Sequence, residues 1–187
     1  MFLSIPNKMY HFSSYLIVRN ARLKPNERLR ILVIQSNGIT LLEPALYTLN
    51  KLRGSSQASN ITEQVTQALI ALCSVLEHIG IDLAARLSDQ KLFEAWEIEE
   101  IARICYFPIN TQTQSSPFIR TIGLINPNGK RLTPETAAIR MHYICDYLNW
   151  LVESRVRNMS VHERHKIRRA NVEVIATLSN RATEHIS

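Results

Sequence analysis

The residues best suited to chemistry in this chain are clustered cations and two histidines. His162 and His165 stand three apart on a stretch that reads as a helix, with Arg164, Lys166, Arg168 and Arg169 crowded around them. Two imidazoles one turn apart could share a metal ion. No third ligand follows at a recognisable spacing, however, and the cationic neighbours would repel a cation. No metal or other cofactor is therefore expected. The chain also lacks a Gly-rich phosphate loop, a dinucleotide fingerprint, a GxSxG elbow and an HExxH pair. Glu97, Glu99 and Glu100 open a helix, where carboxylates favour the positive end of its dipole; they read as an exposed face and not as an acid–base pair.

What remains is phosphate chemistry. Lysine and arginine that neutralise phosphates release counterions, and this dominates affinity for nucleic acid. Lys51 and Arg53 end one short helix just before the polar start of the next, which carries Gln57, Asn60 and Gln64. Free N–H groups at such a start can also meet a phosphate. Lys130 and Arg131 precede another helix, and Arg140 lies two turns into it. These cations are candidate phosphate contacts, and Gln57, Asn60 and Gln64 are candidate contacts to base edges. Arg164, Lys166, Arg168 and Arg169 form a second basic cluster. A solvated surface charge is the competing reading for each of them.

The charges are unevenly distributed. The 187 residues carry a formal net charge of +6. Residues 1–60 hold 8 Lys/Arg against 2 acids, residues 61–119 hold 3 against 8, and residues 120–187 hold 11 against 6. Two basic thirds thus flank an acidic middle. If they meet in the fold, they can clamp a phosphate backbone. The apolar fraction of 45% and charged fraction of 20% belong to a folded globular chain. Cys73, Cys105 and Cys145 are an odd number without a close pair and sit among apolar neighbours. They read as reduced core thiols of a cytoplasmic protein. No apolar run reaches the ~18 residues that a membrane span needs.

Positioning falls mostly to helices. Tyr15–Arg19 and Leu29–Ile34 are short β-rich runs separated by Lys24-Pro25-Asn26-Glu27, which predicts a hairpin appendage over residues 1–38. From residue 39 to 187 the period is helical. Leu42, Leu46, Leu49 and Leu52 mark one short amphipathic helix. Val65, Leu69, Leu72, Leu76 and Ile79 mark a helix over 61–79 that opens at Asn60 and ends at Gly80. Glu94–Phe107 reads as a third helix, stopped by Pro108. Polar residues 110–128 read as a connector, set within about 108–132. Thr133-Pro134-Glu135 starts a helix that buries Ala137, Met141, Ile144, Leu148 and Leu151. Tyr143, Tyr147 and Trp150 form an adjacent aromatic stripe that reads as core. Ser160-Val161-His162-Glu163 is a capping box that opens the last helix. The expected fold is mainly α, a helical bundle with a small N-terminal β-hairpin.

Over roughly residues 10–182 this order of parts resembles the arm and core-binding portion of phage-type integrases, the tyrosine recombinases. Three stretches carry the resemblance. The first runs from Leu29-Arg30-Ile31-Leu32-Val33-Ile34 through Gly38 to Leu52-Arg53. The second runs from Ser59 to Gly80-Ile81-Asp82-Leu83 and Arg86-Leu87. The third is Leu132-Thr133-Pro134-Glu135-Thr136-Ala137-Ala138-Ile139-Arg140, leading to Asp146-Tyr147-Leu148-Asn149-Trp150-Leu151. The resemblance implies a SAM-like core-binding bundle that lies across double-stranded DNA as one half of a clamp. It implies other recombinase protomers as partners on that DNA. In the family the other half of the clamp is catalytic, with arginines, a lysine, a His-x-x-Arg box and a tyrosine nucleophile downstream of that box.

This chain departs from that pattern. Its one His-x-x-Arg is His165 to Arg168, in the last helix, and its last tyrosine is Tyr147, upstream of it. The expectation is a DNA-binding portion without the cleavage chemistry, ending where a catalytic domain would start. The alternative is a helical protein–protein interaction module that binds no nucleic acid. A helix-turn-helix regulator is less well supported, because no tight helix pair carries a basic recognition helix.

Overall fold

The computed structural model describes residues 15–24, 27–32, 41–52, 58–114 and 119–184. The chain is mainly helical. In order it forms β1 (Tyr15–Lys24), β2 (Glu27–Leu32), α1 (Leu42–Leu52), α2 (Ala58–Ile79), α3 (Leu83–Ser88), α4 (Ala95–Ile104), β3 (Ile109–Gln114), β4 (Ile119–Ile125), α5 (Pro134–Arg155), a single 3-10 turn (Val156–Asn158) and α6 (Val161–Glu184). Among the described residues, no helix is long and apolar enough to cross a membrane.

The helix boundaries follow local chemistry. The side chain of Thr133 accepts from the Thr136 N–H at 3.4 Å, and Pro134 takes the first helical position of α5. Ser160 and Glu163 bond each other's backbone N–H at 3.3 and 2.8 Å at the start of α6. Gly80 ends α2 at φ +73°, a left-handed conformation that costs glycine little, and the Ile81 N–H reaches back to the Leu76 carbonyl at 2.8 Å. The start of α2 differs from expectation. The helix begins at Ala58, so Asn60 lies inside it and does not cap it.

α2 is the centre of the bundle. Its predicted stripe is buried except for half-buried Ile79, and Ala68, Ile70, Ala71 and Val75 are buried as well. A helix buried on every side is surrounded by its neighbours. α4 brings Ile98, Ile101 and Ile104 into the core, α5 brings Met141, Ile144, Leu148 and Leu151, and α6 brings Ile167, Val174 and Leu178. α1 is turned differently from its leucine pattern. Leu42 and Leu46 are exposed, and Ala45, Tyr47 and Thr48 are buried. The reason is aromatic packing. The Tyr47 ring lies edge-on to Tyr147 at 5.3 Å and tilted against Trp150 at 5.5 Å.

The expected connector at 108–132 contains β3 and β4, which pair antiparallel. β4 also pairs with β1, giving the strand order β2-β1-β4-β3. The strands of the expected hairpin, β1 and β2, thus share one sheet with β3 and β4. The Thr111-Gln112-Thr113-Gln114 alternation is polar but β-branched at every second position, which suits a strand.

Candidate nucleic-acid interface

The basic cluster of α6 divides between two faces of the helix. Arg164 donates to the Met159 carbonyl at 2.7 Å. Arg168 holds Glu153 of α5 with two bonds of 2.8 and 2.7 Å. That pairing raises the Arg168 pKa and lowers that of Glu153. Both arginines thus serve local structure. His162, His165, Lys166, Arg169 and Glu173 share a different face, at steps of 3, 1, 3 and 4.

This second face looks onto the turn between α3 and α4. Together they enclose an open cleft of about 700 Å³, which Arg86, Lys91, Phe93 and Glu94 line from the turn. The turn is fixed from several directions. Asp82 caps α3 by accepting the Ala84 and Ala85 N–H groups at 2.9 and 3.1 Å. Gln90 adopts a positive φ of 55° and donates to Glu163 at 3.1 Å, which ties the turn to the start of α6. Arg86 donates to Glu97 at 2.7 Å and to the Leu92 carbonyl at 3.4 Å.

Glu97 corrects the reading of an exposed acidic face. It is only 1% exposed. One of its oxygens takes the Arg86 guanidinium, and the other accepts the Glu94 N–H at 2.7 Å as half of a capping box. A buried carboxylate bonded on both oxygens is a structural anchor. It also offsets the Arg86 charge and leaves the cleft to Lys91, Lys166 and Arg169. Among the described residues neither lysine makes an ion pair, and Arg169 meets only exposed Glu173 at 3.2 Å. Such exposed pairs are weak and exchange readily for another anion.

The other predicted contacts lie elsewhere. Arg140 is 4% exposed and cannot reach a phosphate. It donates to the carbonyls of Cys105 at 3.2 Å and Phe107 at 2.6 Å, and to Gln67 at 3.1 Å. It therefore bolts the end of α4 to α2 and α5, and burial lowers its pKa. Lys130 and Arg131 are exposed, and the Arg131 guanidinium lies 5.9 Å from the centre of the Phe107 ring. Arg131 lines a separate cavity of about 650 Å³ with Arg103 and Arg181, where Glu99 and Glu100 offset two of the three charges. Gln64 is exposed and accepts from the Tyr143 hydroxyl at 3.3 Å. Lys51 and Asn60 fall within α1 and α2, whereas Arg53 and Gln57 lie outside the described residues.

The structure thus joins Lys166 and Arg169 to Arg86 and Lys91, two cations not predicted as contacts. Their local signal is faint, since Asp89-Gln90-Lys91 reads only as a polar turn. Among the described residues no group of three or more His, Cys, Asp or Glu could hold a metal ion. A cavity of about 240 Å³ lies elsewhere, between α1, α2, α3 and α5, lined by Pro44, Leu72, Leu76 and Leu87 together with Glu43, Asp82 and Arg155. No family model, curated protein or solved structure matches the chain.

Proposed function

We propose that this chain binds duplex DNA as the positioning, N-terminal portion of a tyrosine-type site-specific recombinase, with its helices acting as a SAM-like core-binding bundle. One observation carries the DNA-binding part: Lys166 and Arg169 of α6 line one open cleft together with Arg86 and Lys91, and clustered cations favour phosphate. The resemblance in the order of parts carries the recombinase part. In this reading the chain holds DNA and does not cut it. The His165 and Arg168 pair lies on α6, where Arg168 is engaged by Glu153. Other recombinase protomers join it on the DNA.

Fluorescence anisotropy with a labelled duplex tests the reading. Binding is expected at low salt and weakens steeply as salt rises. The double change K166E/R169E weakens it by about tenfold or more, and a matching loss in K130E/R131E would extend the surface to the loop before α5. Absence of binding to any duplex at low salt overturns the reading.

One observation favours a protein–protein role. Leu42 and Leu46 lie one turn apart on α1 and are 61% and 46% exposed. Self-association that L42E/L46E abolishes, in a chain that ignores DNA, would establish this role instead.

A further inference from the structure

We infer that the α6 cleft is a proton-gated phosphate site, which grips the DNA backbone more tightly once His162 and His165 are charged. This rests on the DNA-binding reading and adds a regulation to it.

His165 supplies the geometry. Its Nδ1 lies 3.0 Å from the Val161 carbonyl oxygen. A carbonyl only accepts, so Nδ1 carries the hydrogen and donates it. The neutral ring is thereby held in the tautomer whose Nε2 offers a lone pair. A lone pair repels a phosphate oxygen. A proton on Nε2 turns the same nitrogen into a charged donor, the kind that phosphate binds best. His162 lines the cleft one turn earlier and adds a second charge of the same kind.

The surroundings set the size of the effect. From the turn, Arg86, Lys91 and Glu94 face the cleft, and from α6 Lys166, Arg169 and Glu173 do so. Glu97 lies behind Arg86, and Glu163 is turned toward the Ser160 N–H and Gln90. With Arg86 offset by Glu97, the three other cations and two carboxylates leave the lining at +1, and two protonated imidazoles bring it to +3. Of the side-chain types in this lining, imidazole is the one that ordinarily changes charge near neutral pH. A charged imidazole binds a phosphate better than a neutral one. Binding therefore takes up protons and strengthens as pH falls.

The experiment is anisotropy of the 187-residue chain on one duplex at pH 8 and pH 6, at several salt concentrations. The expected affinity gain at pH 6 is about fivefold or more, with a salt slope steeper by about 1 to 2. In H162Q/H165Q both differences collapse, and in H165K, whose charge is fixed, the gain shrinks. His142 is 71% exposed on α5, outside the cleft, so H142Q retains the full pH response. Salt-sensitive binding with the same affinity at both pH values, or a pH response that survives H162Q/H165Q, overturns the inference and leaves the DNA-binding reading standing. No binding at either pH overturns both.

Discussion

Arg140 carries a full charge into the interior, and among the described residues it bonds two carbonyls and an amide and no carboxylate. Carbonyl dipoles at the end of α4 take that place, where a cation also meets the negative end of the helix dipole. Among the described residues its Nε has no partner, so the two terminal nitrogens make all of its bonds there. Truncation leaves the Cys105 and Phe107 carbonyls unpaired. R140M is expected to cost about 2–4 kcal/mol, seen as a lower urea midpoint with an unchanged slope. R140K fares little better, because one ammonium cannot span three acceptors in fork geometry. Nothing in the sequence separates Arg140 from Lys130 or Arg131, since a cation two turns into a helix is ordinarily exposed. Its burial arises from tertiary neighbours at residues 67, 105 and 107. Glu97 escaped sequence reading for the same reason. Beside Glu99 and Glu100 it looks like one more solvated acid, and only Arg86 drawn from α3 explains its burial.

Helices were the legible elements, because apolar period and end chemistry agree along them. Val65 to Leu76 on α2, Ala137 to Leu151 on α5 and the Ser160 box on α6 all follow that rule. α1 broke it, since Tyr47 finds an aromatic nest and turns the leucine stripe outward. β3 was hidden by its polarity, as threonine and glutamine in alternation resemble a loop until a partner strand is known. The Ser160 box makes a prediction about acid. Bonds from the Ser160 hydroxyl, then from its backbone, hold the Glu163 carboxyl below its usual range. Its support for α6 is thus fully present above the ordinary carboxylate pKa and is lost as pH falls through the lowered value. Thermal melts between pH 5 and pH 3 are expected to fall less steeply in S160A than in the parent chain. An equal slope would remove the box from the acid response.

On the scale of the whole molecule, ion pairs fasten surfaces while the apolar core holds the fold. Arg155–Glu43 links α5 to α1 and Arg181–Glu99 links α6 to α4, both at 2.6 Å and both exposed. Pairs of this kind contribute little and are screened by salt. If the chain binds DNA as proposed, raising salt from 50 to 500 mM is expected to release the DNA while leaving the unfolding midpoint nearly unchanged. A parallel drop in the two would mean that salt acts through the fold. The spacing of cations on α6 has a consequence of its own. From His162 to Arg169 the helix advances about 10 Å, and one DNA strand passes a phosphate about every 3.4 Å along its axis. In the proposed DNA-bound state, with α6 along the duplex axis, the footprint of this face would be about three phosphates, so its share of the logarithmic salt slope would level off near 3 however long the duplex. Longer DNA gains only in the number of chains it can carry.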